Sequence, residues 1–495
     1  MNINCIKDSI EKASLHHLMK AINDFKKDDS SGLEEAKVHV LRNHTIDNIK
    51  PFLKGLGILS QLNIDTVIGD YDAFMQEILD DNSALYASKP DVVVLSLVLE
   101  NFISSSSNEF GYRNIVDRID QIIKAISTRS SSLILCNTFL MPLYNHIGAA
   151  SFKDGNSYES IIAKVNLWLR EQVLESSNIY LVDFNQIEQR IGSDNVRDRR
   201  MWYVARSLFK NAFIKEYATE IVNIIKVLKG KVKKCLVLDC DNTLWGGVLG
   251  EEGIDGIKLD KYEYPGNIYY SFQQDILKLM DSGTILALSS KNNEADVFEV
   301  LDNHKYCLIK RKYLSACRIN WGNKPENILS IAKELSLGVD SFVFVDDSPL
   351  ECEMVKQMIP DVAVIQVPED LSKYSTALLK DGLFASLAKS SEDKNRTNMY
   401  VTETKRKQVQ KQFDNLDDFL SSLELVAEVS KASDSQIQRV AQLTQKTNQF
   451  NLTTKRYSEV DIKSFVDNKD YDVLYLNLKD KFGEYGSRSF YNQIR

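Results

Sequence analysis

An apolar stretch at residues 235–238 runs directly into Asp239, Cys240, Asp241, Asn242 and Thr243, which brings two carboxylates and a hydroxyl to one strand end. Alternate residues of a strand share a face, and parallel sheets gather reactive groups at the carboxyl ends of their strands. Asp239 and Asp241 are therefore expected to point the same way. Carboxylates that close repel, and burial makes the repulsion worse, so the pair makes sense around a hard cation. Magnesium-assisted phosphoryl transfer is the chemistry implied. For an isolated Asp-x-Asp-x-Thr a solvated turn closing a strand is the better reading, so the decision falls to other parts of the chain.

Three further segments supply what that chemistry needs. Residues 284–290 read as a second buried strand ending in Ser289 and Ser290, and Lys291, Asn292 and Asn293 then open a helix whose first amides favour an anion. Lys324 stands just before Pro325, which suits the first turn of a helix running to residue 337. Its ammonium can neutralise nucleophile and phosphate together. A third apolar strand, 341–345, delivers Asp346 and Asp347 and completes an oxygen cage for Mg²⁺.

The elements that must position these groups read as α/β. Before residue 230, apolar runs at 37–41, 64–68, 91–97, 132–136 and 179–182 alternate with helical stretches, the pattern of a doubly wound parallel sheet. The expected division is a helical lead-in at 1–34, an α/β domain at 35–228, a second α/β domain at 229–385 holding the site, a linker helix at 386–412 and a smaller region at 413–495. In that last region 415–426 and 435–446 read as helices and 471–478 as a strand. Only short intervals separate Thr243 from Ser290 and Ser290 from Lys324, too short for a large lid domain. The site is then either open to a bulky substrate or covered by another domain of the same chain.

A chain of 495 residues, 43% hydrophobic, can bury several cores, and its net charge of −8 argues against a general nucleic-acid binder. Seven cysteines without C-x-x-C spacing suggest neither a disulfide framework nor a zinc site, and no apolar run is long enough to span a bilayer. A cytoplasmic protein without membrane or nucleic-acid partners is expected.

The four segments match the motifs of the haloacid dehalogenase (HAD) superfamily as Asp239-x-Asp241-x-Thr243, Ser290, Lys324 and Asp346-Asp347. Residues 239–251 (DCDNTLWGGVLGE), 289–293 (SSKNN) and 344–356 (FVDDSPLECEMVK) resemble its FkbH-like branch, subfamily IIIC. Segments at 198–205, 392–400 and 442–453 also fit that branch, so the resemblance runs from about residue 35 to 486. The resemblance implies that Asp239 is the nucleophile forming an aspartyl-phosphate and Asp241 the acid/base. Thr243 supports the motif, Ser290 and Lys324 hold the phosphoryl group, and Asn242, Lys291 and Asn292 contact substrate. Asp239, Asp241, Asp346 and Asp347 form the Mg²⁺ site.

It further implies an SGNH- or flavodoxin-like parallel-sheet N-terminal domain, a Rossmann-like HAD domain with little or no cap, and a partial α+β GNAT-like region. The implied activity is a phosphatase and glyceryl transferase of polyketide or surface-polysaccharide biosynthesis. It takes a phosphorylated small-molecule donor such as 1,3-bisphosphoglycerate and loads the acyl unit on a phosphopantetheinylated acyl carrier protein. A stand-alone sugar- or acyl-phosphate phosphatase and a non-catalytic carrier-docking protein are the alternatives.

Some residues depart from these patterns. The N-terminal domain places His44, Glu100, Asn101, Asn137, Thr138 and Asp198 where an SGNH esterase keeps its working residues, yet no Gly-Asp-Ser or closing Asp-x-x-His supplies an activated serine. A lone histidine such as His44 is more often structural. Ser289 stands where relatives often carry a cysteine, and Cys240 should face away from Asp239, which puts thiol tethering in doubt. The GNAT pattern stops after Gly486, so Gln445, Lys446, Thr447, Asn448 and Gln449 are weak site candidates.

Overall fold

Strand β1, Glu34–Arg42, carries the inward run Val38, Val40, Leu41 and is the second strand of a five-stranded parallel sheet. With β2 (Leu62–Ile68), β3 (Val92–Ser96), β4 (Leu133–Asn137) and β5 (Ile179–Val182), the order is β2-β1-β3-β4-β5. That is the flavodoxin-like doubly wound order. β3 and β4 are buried at every position, as strands covered on both faces must be. The computed structural model describes residues 2–28, 32–101, 111–387, 402, 406, 413, 415–446, 457–468, 470–481 and 483–493. Contacts divide the chain into two units, Met1–Lys229 with Thr444–Lys469 and Gly230–Leu443 with Asp470–Arg495.

In the second unit β6 (Cys235–Leu238), β7 (Ile285–Ser290), β8 (Leu314–Ile319), β9 (Phe342–Asp346) and β10 (Ala363–Gln366) form a parallel sheet in the order β10-β9-β6-β7-β8. This is Rossmann-like winding with β6 at its centre. Between β6 and β7 lie only the helices Leu249–Glu252 and Gly266–Asp281, with no inserted lid domain.

The register explains the site. Leu238 pairs with Leu288 of β7 and with Val345 of β9, so Asp239, Ser289 and Asp346 each come one step beyond the same row. Leu236, Leu238, Leu286, Leu288, Val343 and Val345 pack on one face, while Cys235, Val237, Ile285, Ala287, Phe342 and Phe344 pack on the other. By alternation Asp239, Ser289 and Asp346 continue the second set. The helix Lys324–Leu335 buries Ile328, Ile331, Ala332 and Leu335 against that same face, which sets its first residue over the strand ends. No designed coincidence is needed: strand register and one amphipathic helix suffice.

The C-terminal region differs from its sequence reading. The helix expected over 415–426 is Leu416–Ser422, and Glu424 at φ +55° turns the chain into β11, Val426–Lys431. β11 pairs antiparallel with β12 (Tyr471–Asp480), which pairs with β13 (Gly483–Gln493). Tertiary pairing overrides local propensity there. A helix Glu459–Asp467, opened by a Ser458–Asp461 capping box, was also not anticipated. Most of the linker helix at 386–412, the 392–400 motif and Thr447, Asn448 and Gln449 lie outside the described residues.

Candidate active site

Asp239 keeps its place in the ladder through its amide, which donates to Val345 O at 3.0 Å. The chain then leaves the sheet. Thr243 N and Leu244 N both donate to Cys240 O, and Asn242 sits at φ +52°, a left-handed conformation that asparagine tolerates better than most residues. Its Oδ1 accepts from Gly247 N at 2.9 Å and its carbonyl accepts from the Tyr374 hydroxyl at 2.8 Å, so Asn242 shapes the turn. Thr243 beside it is fully buried. Cys240 packs in the core with Leu236 and Leu238, and burial pushes its thiol well above the ordinary range.

Lys324 is the centre of the arrangement. Asn323 caps its helix by accepting from Glu326 N at 2.9 Å, and Pro325 occupies the first turn, so the Lys324 backbone is fixed before its side chain turns inward. The side chain is almost wholly buried. Its Nζ lies 2.5 Å from Asp239 Oδ1, 2.6 Å from Ser289 O and 3.1 Å from Asp346 Oδ2. An ammonium has three protons, and each has an acceptor. Burial disfavours the cation, but the carboxylates of Asp239 and Asp346 outweigh it and raise Lys324 above the usual lysine value.

Asp239, Asp346 and Asp347 each offer one carboxylate oxygen, and these oxygens lie within 4.8 Å of one another. Burial and the Asp239 carboxylate push Asp346 up to about 7 against the pull of Lys324. Asp347 is raised by the same two causes, burial first. Three converging carboxylates facing one lysine leave surplus negative charge, and an all-oxygen donor set suits a hard divalent ion. The residues fit Mg²⁺.

Asp241 stands outside that group. Its Oδ1 accepts from Trp245 Nε1 at 2.9 Å and Leu249 N at 3.2 Å, and its Oδ2 accepts from Asn292 Nδ2 at 3.0 Å. Burial raises its pKa while these three donors pull it back. Asn292 Nδ2 also donates to Ser290 Oγ at 3.2 Å, joining the Asp241 carboxylate and the Ser290 hydroxyl through one amide. Ser290 is fully buried at the end of β7. Lys291, more exposed, pairs with Glu351 at 2.6 Å.

The polar strand ends of the first unit are spent on structure. Asn43 exchanges hydrogen bonds with Val98 N and O, and Asn137 does the same with Leu97. Thr138 Oγ1 donates to Asp183, and Asp198 caps the helix Arg199–Ala205. His44 Nε2 lies 3.0 Å from Ser96 Oγ, a pair missed in the sequence, but both are fully buried. Burial, with Arg42 nearby, pulls His44 down to about 3, so its imidazole is neutral.

Residues 37–226 match the model of the FkbH N-terminal domain, and residues 234–364 match that of the NLI interacting factor-like phosphatases. A solved structure described as the N-terminal part of the protein BF1531 from Bacteroides fragilis, containing a phosphatase domain complexed with Mg, aligns with a TM-score of 0.69 and 27% identity over 74% of this chain and 99% of that one. The chain joins an FkbH N-terminal domain to a HAD-type phosphatase domain. No curated protein matches it. A putative lipolytic protein of the G-D-S-L family from Desulfitobacterium hafniense and the salicylyl-acyltransferase SsfX3 of a tetracycline biosynthetic pathway align at TM-scores of only 0.25 and 0.26. Identity is 15% and 13%, over 38% and 40% of this chain and 99% and 57% of theirs. So slight a likeness assigns nothing. No described helix is long and apolar enough to cross a membrane.

Sequence reasoning missed Trp245, Glu351 and Tyr374 around the phosphatase site. Trp245 offered one signal, its place two residues beyond the first motif; that the indole is fully buried with its N–H on Asp241 is visible only in the structure. Glu351 and Tyr374 carried none, since their partners are distant in sequence.

Proposed function

We propose that this phosphatase domain works through an aspartyl-phosphate on Asp239, and that its substrate is a phosphorylated three-carbon acyl donor such as 1,3-bisphosphoglycerate whose acyl unit passes to an acyl carrier protein. The observation that carries the first part is the buried Lys324 ammonium shared between Asp239 and Asp346. It holds the nucleophile's Oδ1 and offsets charge as a phosphate approaches. Mg²⁺, held by Asp239, Asp346 and Asp347, would supply further neutralisation of the phosphoryl oxygens.

In the first step an Asp239 oxygen bonds to the phosphorus of the 3-phosphate ester, the bond to the C3 oxygen breaks, and Asp241 gives that oxygen a proton. In the second, water attacks phosphorus, Asp241 takes its proton, and Asp239 is released with inorganic phosphate. The C1 acyl phosphate is spent separately, when the carrier thiolate attacks the C1 carbonyl, the carbon–sulfur bond forms and the C1 phosphate leaves. Oδ1 of Asp241 is saturated by two donors, which leaves Oδ2, with one, as the atom that carries the proton. Ser290, accepting from Asn292, keeps its own proton for a phosphoryl oxygen.

The carrier reading is supported by the FkbH N-terminal domain and by the absence of an inserted lid between β6 and β7. Transfer by way of a thiol on Cys240 is not part of it, since that group is buried and held protonated. Incubation with Mg²⁺, 1,3-bisphosphoglycerate and holo carrier should release phosphate and add a glyceryl mass to the carrier. Phosphate release with an unchanged carrier mass would reduce the reading to a stand-alone phosphatase.

A further inference from the structure

The segment between Val196 and Lys210 is an excursion with a pinned neck. Asp198 N donates to Leu208 O at 2.7 Å, Lys210 N donates to Val196 O at 2.9 Å, and Arg197 and Phe209 form an antiparallel bridge. Phe209 is buried and stacks on Phe213 with ring centroids 4.3 Å apart. The far end is tied as well, since Thr45 donates from its amide to Arg206 O at 2.9 Å and from its hydroxyl to Ala205 O at 2.7 Å.

What this frame holds is the helix Arg199–Ala205, none of whose residues is buried. Tyr203 is 81% exposed and Val204 71%, and Met201 is also exposed. Arg206 lays its guanidinium 5.1 Å from the Trp202 ring. Apolar side chains normally find cover, and Arg, Met, Trp and Tyr are the types enriched at protein interfaces and among their strongest contacts. A helix fastened at both ends loses little freedom on binding. Among the described residues no ion pair engages Arg199 or Arg200, and the nearest acid in sequence, Asp198, is spent on the cap. The patch is cationic on a chain of net charge −8.

We infer that the helix Arg199–Ala205 is a docking site for an acidic protein surface, and that its occupant is the phosphopantetheine-bearing carrier. The choice of occupant rests on the function proposed above. Arg199 and Arg200 steer and orient an acidic partner, and Tyr203 and Val204 supply the apolar contact that holds it.

The test compares the full-length wild type with Arg199→Glu/Arg200→Glu and with Tyr203→Ser. Binding to holo acyl carrier protein is followed by fluorescence anisotropy at low and high salt, beside phosphate release from a small phosphate ester. Both variants should bind the carrier about tenfold or more weakly, the arginine variant should lose most of the salt dependence, and ester hydrolysis should be unchanged. Wild-type affinity in both variants would overturn the docking site alone. Wild-type protein that binds the carrier through this helix but never acylates it would leave the site standing and overturn the reaction. Wild-type protein that ignores the carrier, and instead pairs with itself or with anionic vesicles through Tyr203, would overturn the occupant.

Discussion

Lys324 Nζ lies 2.5 Å from Asp239 Oδ1, in a site where the lysine is 2% exposed and a second carboxylate, Asp346, stands 3.1 Å away. A buried ion pair of this kind is weak evidence for stability, because desolvation offsets much of the attraction. Breaking it is another matter. Lys324→Met leaves three crowded carboxylates without their cation and should destabilise the metal-free protein by about 3–5 kcal/mol. Urea unfolding with and without Mg²⁺ checks this: the loss should shrink when the ion is present. Phosphate release should fall about 10²-fold or more, since the cation that faces the transferring group is gone.

The donors on Asp241 make a different prediction. Trp245→Phe and Asn292→Ala each remove an N–H that favours the ionised carboxylate, so the Asp241 pKa should rise. In the mechanism proposed above, breakdown of the aspartyl-phosphate uses Asp241 as a base. The acidic limb of its pH–rate profile should therefore move up by about one unit in either variant. A uniform loss of rate with an unmoved profile would mean these residues serve packing only.

Asp346 links metal, pH and stability. Its folded value of about 7 stands above the ordinary 3.8, so the folded chain holds a proton that the unfolded chain gives up between those values. Stability from this group is present at acid pH and lost as pH rises through about 7. Mg²⁺ needs the ionised carboxylate. Thermal melts at fixed Mg²⁺ should show a stabilisation that is small at pH 5 and grows through pH 7, with protons released on binding; Asp346→Asn should abolish that growth.

His44 should matter for the fold and not for the phosphatase chemistry. Its neutral ring partners the buried Ser96 hydroxyl, so His44→Ala should cost about 1–3 kcal/mol by orphaning that hydroxyl. Hydrolysis of a small phosphate ester at a temperature well below unfolding should be unaffected. A large loss of turnover with little loss of stability would give the histidine a working role.

Much of this was legible before any coordinates, for a plain reason. Buried parallel strands announce themselves as apolar runs, and parallel sheets gather polar groups at the ends of those runs, which is how Asp239 and Asp346, whose carboxylates converge in the structure, and Ser290, at the end of its strand, were picked out. The Lys324-Pro325 pair marked a helix start just as directly. Alternation, however, holds only within a strand. The chain leaves β6 after Asp239 and turns at Asn242, and so Asp241, expected beside Asp239 among the metal ligands, has both oxygens on Trp245, Leu249 and Asn292 instead. The Oδ1 of Asn242, a residue expected to contact substrate, accepts from Gly247 N and so also shapes the turn. β11 went unread because its partner, β12, is remote in sequence and its own side chains are exposed.

The most direct measurement is a search for the covalent intermediate. Asp241→Asn should form the aspartyl-phosphate slowly and break it down about 10²–10⁴-fold more slowly still, so the adduct accumulates. Acid-quenched protein, turned over with Mg²⁺ and a phosphate donor, is digested and its peptides weighed. One added phosphoryl group is expected on the peptide containing Asp239, absent in an Asp239→Asn/Asp241→Asn double variant. Phosphate release by the Asp239→Asn single variant at the wild-type rate, or an adduct on any other residue, would contradict it.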